Sequence, residues 1–290
     1  MRVDLVLIAI AVVATSTSAP LVREAAAPAL VIAFWRNAMA TGVLVPYALA
    51  RRRAQIDALD RRERRLILAA GALLAAHFAT WIPSLSYTTV ASSVALVCTQ
   101  PVWAAVLASA MGEHVSRRTW VGIAVAVAGV VTLTGVDFTV SSRAVFGDAL
   151  ALAGGMFAAG YVTVGASVRR TVSTTVYTAG CYGVAAVALL VTCLVGAQDV
   201  VHQDARTWWC LVAITVGPQL LGHSLLNRVL RTTSATLVSM ALLFEIVGAT
   251  LLARWWFGES PPAGTYPAAV LIACGVVLVL LDDRIRRRAL

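Results

Sequence analysis

Apolar residues run through this chain in blocks of roughly twenty, the length that a helix needs to cross about 30 Å of hydrocarbon. Ten such blocks can be marked off, near residues 4–22, 28–50, 66–86, 89–111, 117–135, 147–167, 175–196, 207–227, 233–256 and 264–281. The connections between them leave no room for a folded extramembrane domain, and a single polar loop, Arg51 to Arg65, stands out. The pattern predicts an all-α polytopic membrane protein with ten transmembrane helices.

The blocks repeat. The string from Thr99-Gln100-Pro101-Val102 to Gly112-Glu113 recurs about 145 residues later, from Phe244-Glu245-Ile246-Val247 to Gly258-Glu259, and that spacing is half of the 290 residues. Each string is an apolar run with one polar residue inside it and a Gly-Glu pair closing it. Two five-helix repeats follow, residues 1–138 and 139–290. With an odd number of spans in each, the second is inverted relative to the first. Internal duplication in a chain this apolar points to a secondary transporter.

Composition and charge sharpen the picture. Hydrophobic residues make up 60% of the chain and charged ones 13%, against roughly 45–50% and about 25% in a typical soluble domain. The net charge of +9 raises nucleic acid as a partner, but the distribution of charge argues against it. With a cytoplasmic amino terminus, Arg2, Arg51–Arg53, Arg61–Arg65, Arg117, Arg118, Arg169, Arg170, Arg228, Arg231 and Arg284–Arg288 all fall on one side. Arg23, Arg143 and Arg206 fall on the other, and Arg36 and Arg254 lie within or at the ends of spans. That asymmetry places both termini in the cytoplasm and makes the lipid bilayer rather than nucleic acid the partner; the expected location is the cell inner (plasma) membrane. The amino-terminal block could pass for a signal peptide, but Asp4 beside Arg2, and Pro20 just past any cleavage at Ala19, favour a retained helix.

Lysine is absent, which removes P-loop and Schiff-base chemistry, and no H-E-x-x-H, G-x-S-x-G or strand-borne G-x-G-x-x-G occurs. Cys98, Cys181, Cys193, Cys210 and Cys274 are isolated within apolar runs and read as lipid-facing or packed small hydrophobes. No enzyme, cofactor or metal site is expected. The energy for transport must come from a gradient or a partner.

Polar side chains sit instead where they cost most. His77, Gln100, Gln219 and Glu245 fall near the middle of the third, fourth, eighth and ninth blocks. A carboxylate at mid-bilayer costs a few kcal/mol, so Glu245 must face water or a partner, or be protonated; His77 and His223 are candidate partners. His223 and Asn227 lie one and two turns toward the cytoplasm, Trp81 lies one turn outward of His77, and Tyr161 offers a ring and a hydroxyl in the sixth block. Each has a structural alternative: interhelical hydrogen bonding for the amides and His77, an interfacial anchor for Trp81.

Breakers accompany these groups. Pro101 follows Gln100 and Gly217-Pro218 precedes Gln219, which predisposes both helices to kink beside the midplane. In the first block Thr15-Ser16-Thr17-Ser18 either lines a cavity, with Ser16 as the candidate contact, or bonds back to its own turn. The fifth and tenth blocks read as peripheral scaffold.

These residues resemble the ten-helix, EamA-type members of the drug/metabolite transporter superfamily, over nearly the whole chain. Ser16-Thr17-Ser18-Ala19-Pro20-Leu21-Val22-Arg23 is similar to the small-polar string that ends the family's first helix. Phe34-Trp35-Arg36-Asn37-Ala38-Met39-Ala40 is similar to its aromatic-Arg opening of helix two, and Ser84-Leu85-Ser86-Tyr87-Thr88-Thr89-Val90-Ala91 to its turn between helices three and four. Gln100-Pro101-Val102, Gly112-Glu113, Glu245 and Gly258-Glu259 follow its repeat pattern. Two positions depart: Ala14-Thr15 stands where a Trp-Gly pair is common, and Ile246 where a proline follows the acidic residue. The resemblance implies export of small metabolites, amino acids or related compounds foremost, either facilitated or coupled to protons. It also implies a cavity between helices 1, 3, 4, 6, 8 and 9, with Glu113 and Glu259 structural. An importer of the same class and a non-transporting scaffold or sensor are the alternatives.

Overall fold

A computed structural model describes residues 2–88, 90–134, 141–258 and 265–289. Thr89, Glu259 and the 138/139 repeat boundary lie outside the described residues. Every regular element among those described is helical. In chain order they are α1 (Arg2–Ser16), α2 (Ser18–Glu24), α3 (Ala29–Asp57), α4 (Arg61–Ser84), α5 (Val90–Val97), α6 (Gln100–Ala110), α7 (Arg117–Thr134) and α8 (Ser142–Val168). They continue as α9 (Thr174–Val195), α10 (Ala205–Ile214), a π-helical segment Thr215–His223, α11 (Ser224–Val229), α12 (Ala235–Leu242), α13 (Phe244–Phe257) and α14 (Thr265–Ala289).

Eight stretches among the described residues are long and apolar enough to cross a membrane: Val3–Glu24, Ala29–Asp57, Arg61–Ser84, Ser93–Ala110, Ser142–Val168, Thr174–Val195, Ala205–Val229 and Ala235–Phe257. The remaining two blocks are also helical. They form α7 and α14, which pack on one another and whose apolar stretch in α14 is the shorter Val270–Val279. Neither lines the central cavity described below. The pair is not wholly apolar, since Asp282 accepts hydrogen bonds from the Ser116 (2.7 Å) and Thr119 (3.0 Å) hydroxyls.

Local chemistry sets the helix ends. Ser141, Ser173, Asp204 and Ser234 each accept a hydrogen bond from the backbone N–H three residues on, capping α8, α9, α10 and α12. Asp60 and Glu63 complete a reciprocal capping box at the start of α4. The Gly of each repeated Gly-Glu pair is left-handed, φ 82° at Gly112 and 68° at Gly258, a conformation that a side chain disfavours. At the first of them Glu113 N–H reaches back to the Ala108 carbonyl (2.9 Å), closing α6. Glu113 itself then lines a polar vestibule rather than acting only as a helix end.

Four of the spans are discontinuous. The first breaks at Thr17, where the hydroxyls of Thr15, Ser16 and Thr17 all bond back to carbonyls of their own turn (3.1, 2.7 and 2.7 Å). The fourth breaks at Cys98-Thr99, just before Gln100-Pro101. The eighth widens into the π-helical segment around Pro218, a form that often marks functional sites. The ninth breaks at Leu243, just before Glu245, without any proline. The breaks in the fourth and ninth spans therefore fall at corresponding places in the two repeated strings.

Candidate functional site

The discontinuities converge on one central cavity of about 50 Å³. Its walls include Ser18 from α2, His77 and Trp81 from α4, Cys98 and Gln100 at the fourth-span break, and Tyr161 from α8. His223 and Asn227 from the eighth span and Glu245 from α13 complete the polar lining. The contributing spans are the first, third, fourth, sixth, eighth and ninth. Of the nine residues singled out from the sequence, His77, Trp81, Gln100, Tyr161, His223, Asn227 and Glu245 are thus brought to one chamber. Ser16 and Gln219 are not among its lining residues.

Most of these side chains are already engaged with the protein. His77 Nδ1 is 3.0 Å from the Gly154 carbonyl. A carbonyl only accepts, so this nitrogen carries the proton. Trp81 stacks on the His77 ring at 5.7 Å with an interplanar angle of 5°, and its indole N–H is buried with no hydrogen-bond partner. Gln100 donates to the Ser239 hydroxyl at 2.8 Å, tying α6 to α12. Asn227 donates to the Tyr161 hydroxyl at 2.5 Å, while its backbone carbonyl accepts from Arg169 Nε at 2.9 Å. His223 meets the edge of Phe78 at 5.9 Å. Glu245 has the Thr15 hydroxyl and the Arg36 guanidinium as polar neighbours.

The two residues outside the lining have definite places. Ser16 donates to the Val12 carbonyl and faces Gly248 of α13, and Ser18, half a turn on, takes the cavity position. Gln219 is fully buried behind the chamber. Its oxygen accepts from Arg36 Nε at 2.9 Å, its nitrogen donates to Asn37 Oδ1 at 3.0 Å, and Asn37 is itself anchored on the Ala33 carbonyl at 2.8 Å.

Arg36 is therefore the polar residue that the reading by depth passed over. The sequence pattern places it at a helix opening; in the fold it is 0% exposed in the interior of α3, with Glu245, His77 and His223 within its electrostatic reach. Two signals were available: a charged residue well inside an apolar block, and its departure from the one-sided arginine distribution.

The two ends of the bundle differ. At the arginine-rich end a polar vestibule of about 420 Å³ is lined by residues including Glu113, Ser167, Arg170, Arg231, Thr232 and Ser234. Leu230 belongs to both vestibule and central cavity, so it separates the two. The opposite end is latched. Arg206 pairs with Glu24, Ala26 N–H donates to the Thr207 hydroxyl (3.2 Å), and Trp35 packs edge-on against Trp208 at 4.9 Å. Trp35 also donates to the Val200 carbonyl at 2.7 Å. The loop that presents this carbonyl is braced by Asp199, whose carboxyl is held below its ordinary range by the backbone N–H groups of His202 and Val201.

Comparison with known proteins agrees with this architecture. The sequence profile described as "EamA-like transporter family" matches residues 3–135 and again 145–281. A solved structure, titled only "Crystal structure of protein", superposes with a TM-score of 0.79 at 19% identity, covering 98% of this chain and 99% of its own; it is a likeness of fold. No curated protein matches the sequence.

Proposed function

The chain belongs to the EamA-like transporter family, and from that premise we propose that it is a secondary exporter of small metabolites, amino acids or related compounds foremost, working by alternating access around the Glu245 cavity. The observation that carries this reading is the convergence of polar groups from six spans on one chamber, with helix breaks beside Gln100 and Glu245. Helix interruptions of this kind free backbone groups at the depth where a solute must be held. A non-transporting scaffold has no need of a chamber there. The vestibule at the arginine-rich end and the latch at the other support a conformation open toward the cytoplasm. In this reading α7 and α14 also span the membrane, giving ten helices in two inverted repeats, with both termini on the cytoplasmic side of the plasma membrane.

A flux screen in proteoliposomes over amino acids, nucleobases and organic cations, with and without a pH gradient, tests the proposal. Solute flux excludes the scaffold reading, dependence on the gradient identifies protons as the coupling ion, and flux confined to the uptake direction in oriented vesicles establishes the importer instead. Absence of flux for every solute class refutes transport.

The orientation carries its own prediction. In a background without native cysteines, a single cysteine replacing Gln203 is expected to react with an impermeant thiol reagent in intact cells. One replacing Gln55 is expected to react only after the cells are opened. Labelling of position 55 from outside reverses the topology.

A further inference from the structure

Arg36 stands in the interior of α3 with two of its five N–H donors assigned. Nε goes to Gln219 (2.9 Å), Nη1 goes to the Ser18 hydroxyl (3.3 Å), and the guanidinium lies 4.1 Å from the centre of the Phe78 ring. Nη2 is buried without a hydrogen-bond partner. Leaving a charged donor unsatisfied in a low-dielectric interior is expensive, and the surrounding amide chain Gln219–Asn37–Ala33 holds it there rather than letting it turn away. The group lies directly behind the cavity lining: Ser18, to which it donates, lines the cavity, and the lining residues Glu245, His77 and His223 are within its electrostatic reach.

We infer that Arg36 is the specificity-determining residue of the site, taking an anionic group of the substrate through its free Nη2 while Glu245 takes a cationic one. This rests on the reading that the Glu245 cavity is the transport site. Charge balance supports it. With Glu245 ionised, Arg36 and Glu245 sum to zero, and a solute bearing one carboxylate and one ammonium keeps that sum at zero. A simple amine or a simple anion instead leaves a net charge in a low-dielectric interior, which is costly. The planar fork of arginine suits a carboxylate, and with Nε held by Gln219 and Nη1 by Ser18 the binding is centred on Nη2. Gln219 and Asn37 are positioning residues that hold the fork in place.

The test compares the standard amino acids with their α-amides, which keep the ammonium and lose the carboxylate, in proteoliposome flux and in ligand-induced thermal stabilisation of the purified protein. For the amino acid that moves fastest, the parent is expected to show a half-saturation concentration at least about tenfold below that of its amide, a factor corresponding to one charged contact. Arg36→Gln is expected to abolish the preference of acid over amide, a change of at least about tenfold in the ratio of their half-saturation concentrations, and Arg36→Lys to recover part of it. Retention of the full preference in a folded Arg36→Gln protein overturns the assignment. Where that variant does not reach the membrane, the parent alone decides, and equal handling of acid and amide overturns the role of Arg36 while leaving transport intact. A parent that moves no solute at all overturns the transport reading and this one with it.

Discussion

Glu245→Gln is expected to reach the membrane at parental abundance and to lose at least about tenfold in transport of amine-bearing substrates, a change of roughly 1.4 kcal/mol in the stabilisation of the loaded state. The pH response of whatever flux survives is expected to be flat. Glutamine preserves the size of the side chain and much of its hydrogen bonding to the Thr15 side, so packing of α13 is unchanged; what disappears is the ability to ionise. A single carboxylate in a chamber that also holds His77 and His223, with Arg36 behind its lining, can be neutralised by a proton or by a substrate ammonium, but not by both at once. That competition converts binding into exchange. Flux measured at several pH values across the membrane checks it, and a variant that transports like the parent at every pH assigns Glu245 a purely structural role. Glu113→Gln is the matched control, expected to affect abundance because Arg117 and Arg118 follow closely. Its vestibule position beside Arg170 and Arg231 adds an effect on solute capture, still without a change in pH response.

The second large effect is expected at Gly248. A Cβ built there falls on the Ser16 hydroxyl and 2.7 Å from Ser16 Cβ, and on the other side of the first span a Cβ at Gly222 comes within 2.7 Å of the Thr15 methyl. The broken first helix is thus held between the eighth and ninth spans at van der Waals limits. Membrane helices lack a hydrophobic drive toward one another, so close backbone approach of this kind supplies much of their association. Gly248→Ala introduces overpacking worth about 1–3 kcal/mol. It is expected to lower the melting temperature of the purified protein by several degrees and to reduce flux more than the loss of folded protein explains, since α1 and α2 carry Thr15 and Ser18 beside Glu245. Ser16→Gly in the same chain removes the obstruction, so the double variant is expected to regain most of both properties, a coupling that a double-mutant cycle measures directly. Additive losses in the two variants contradict the contact.

Much of this protein was legible before any coordinates. The apolar spans and the distortions beside Gln100-Pro101 and Gly217-Pro218 follow from local chemistry, uninterrupted apolar length and prolines that free backbone carbonyls; the break at Thr17 does not, because hydroxyls that bond back to their own turn are also found in continuous helices. The duplicated strings placed Gln100 and Glu245 at corresponding positions, and the depth of His77, Gln100 and Glu245 along their helices was a matter of counting. The break before Glu245 was harder to see, because Ile246 stands where a proline would announce it.

Only the tertiary structure decided which way each side chain faces. In a soluble helix the polar stripe reveals the solvent side, but these helices are apolar almost all round, and a rotation of 100° between neighbouring residues leaves no trace in composition. Ser18 rather than Ser16 lines the cavity for that reason, and Gln219 turns away from the chamber to hold Arg36. The importance of Arg36 itself depends on Gln219, Ser18 and Phe78, which lie up to 183 positions away in the chain and meet it only when the first, second, third and eighth spans pack together. Depth in the membrane is a property of one helix and is written along it; facing is a property of the bundle.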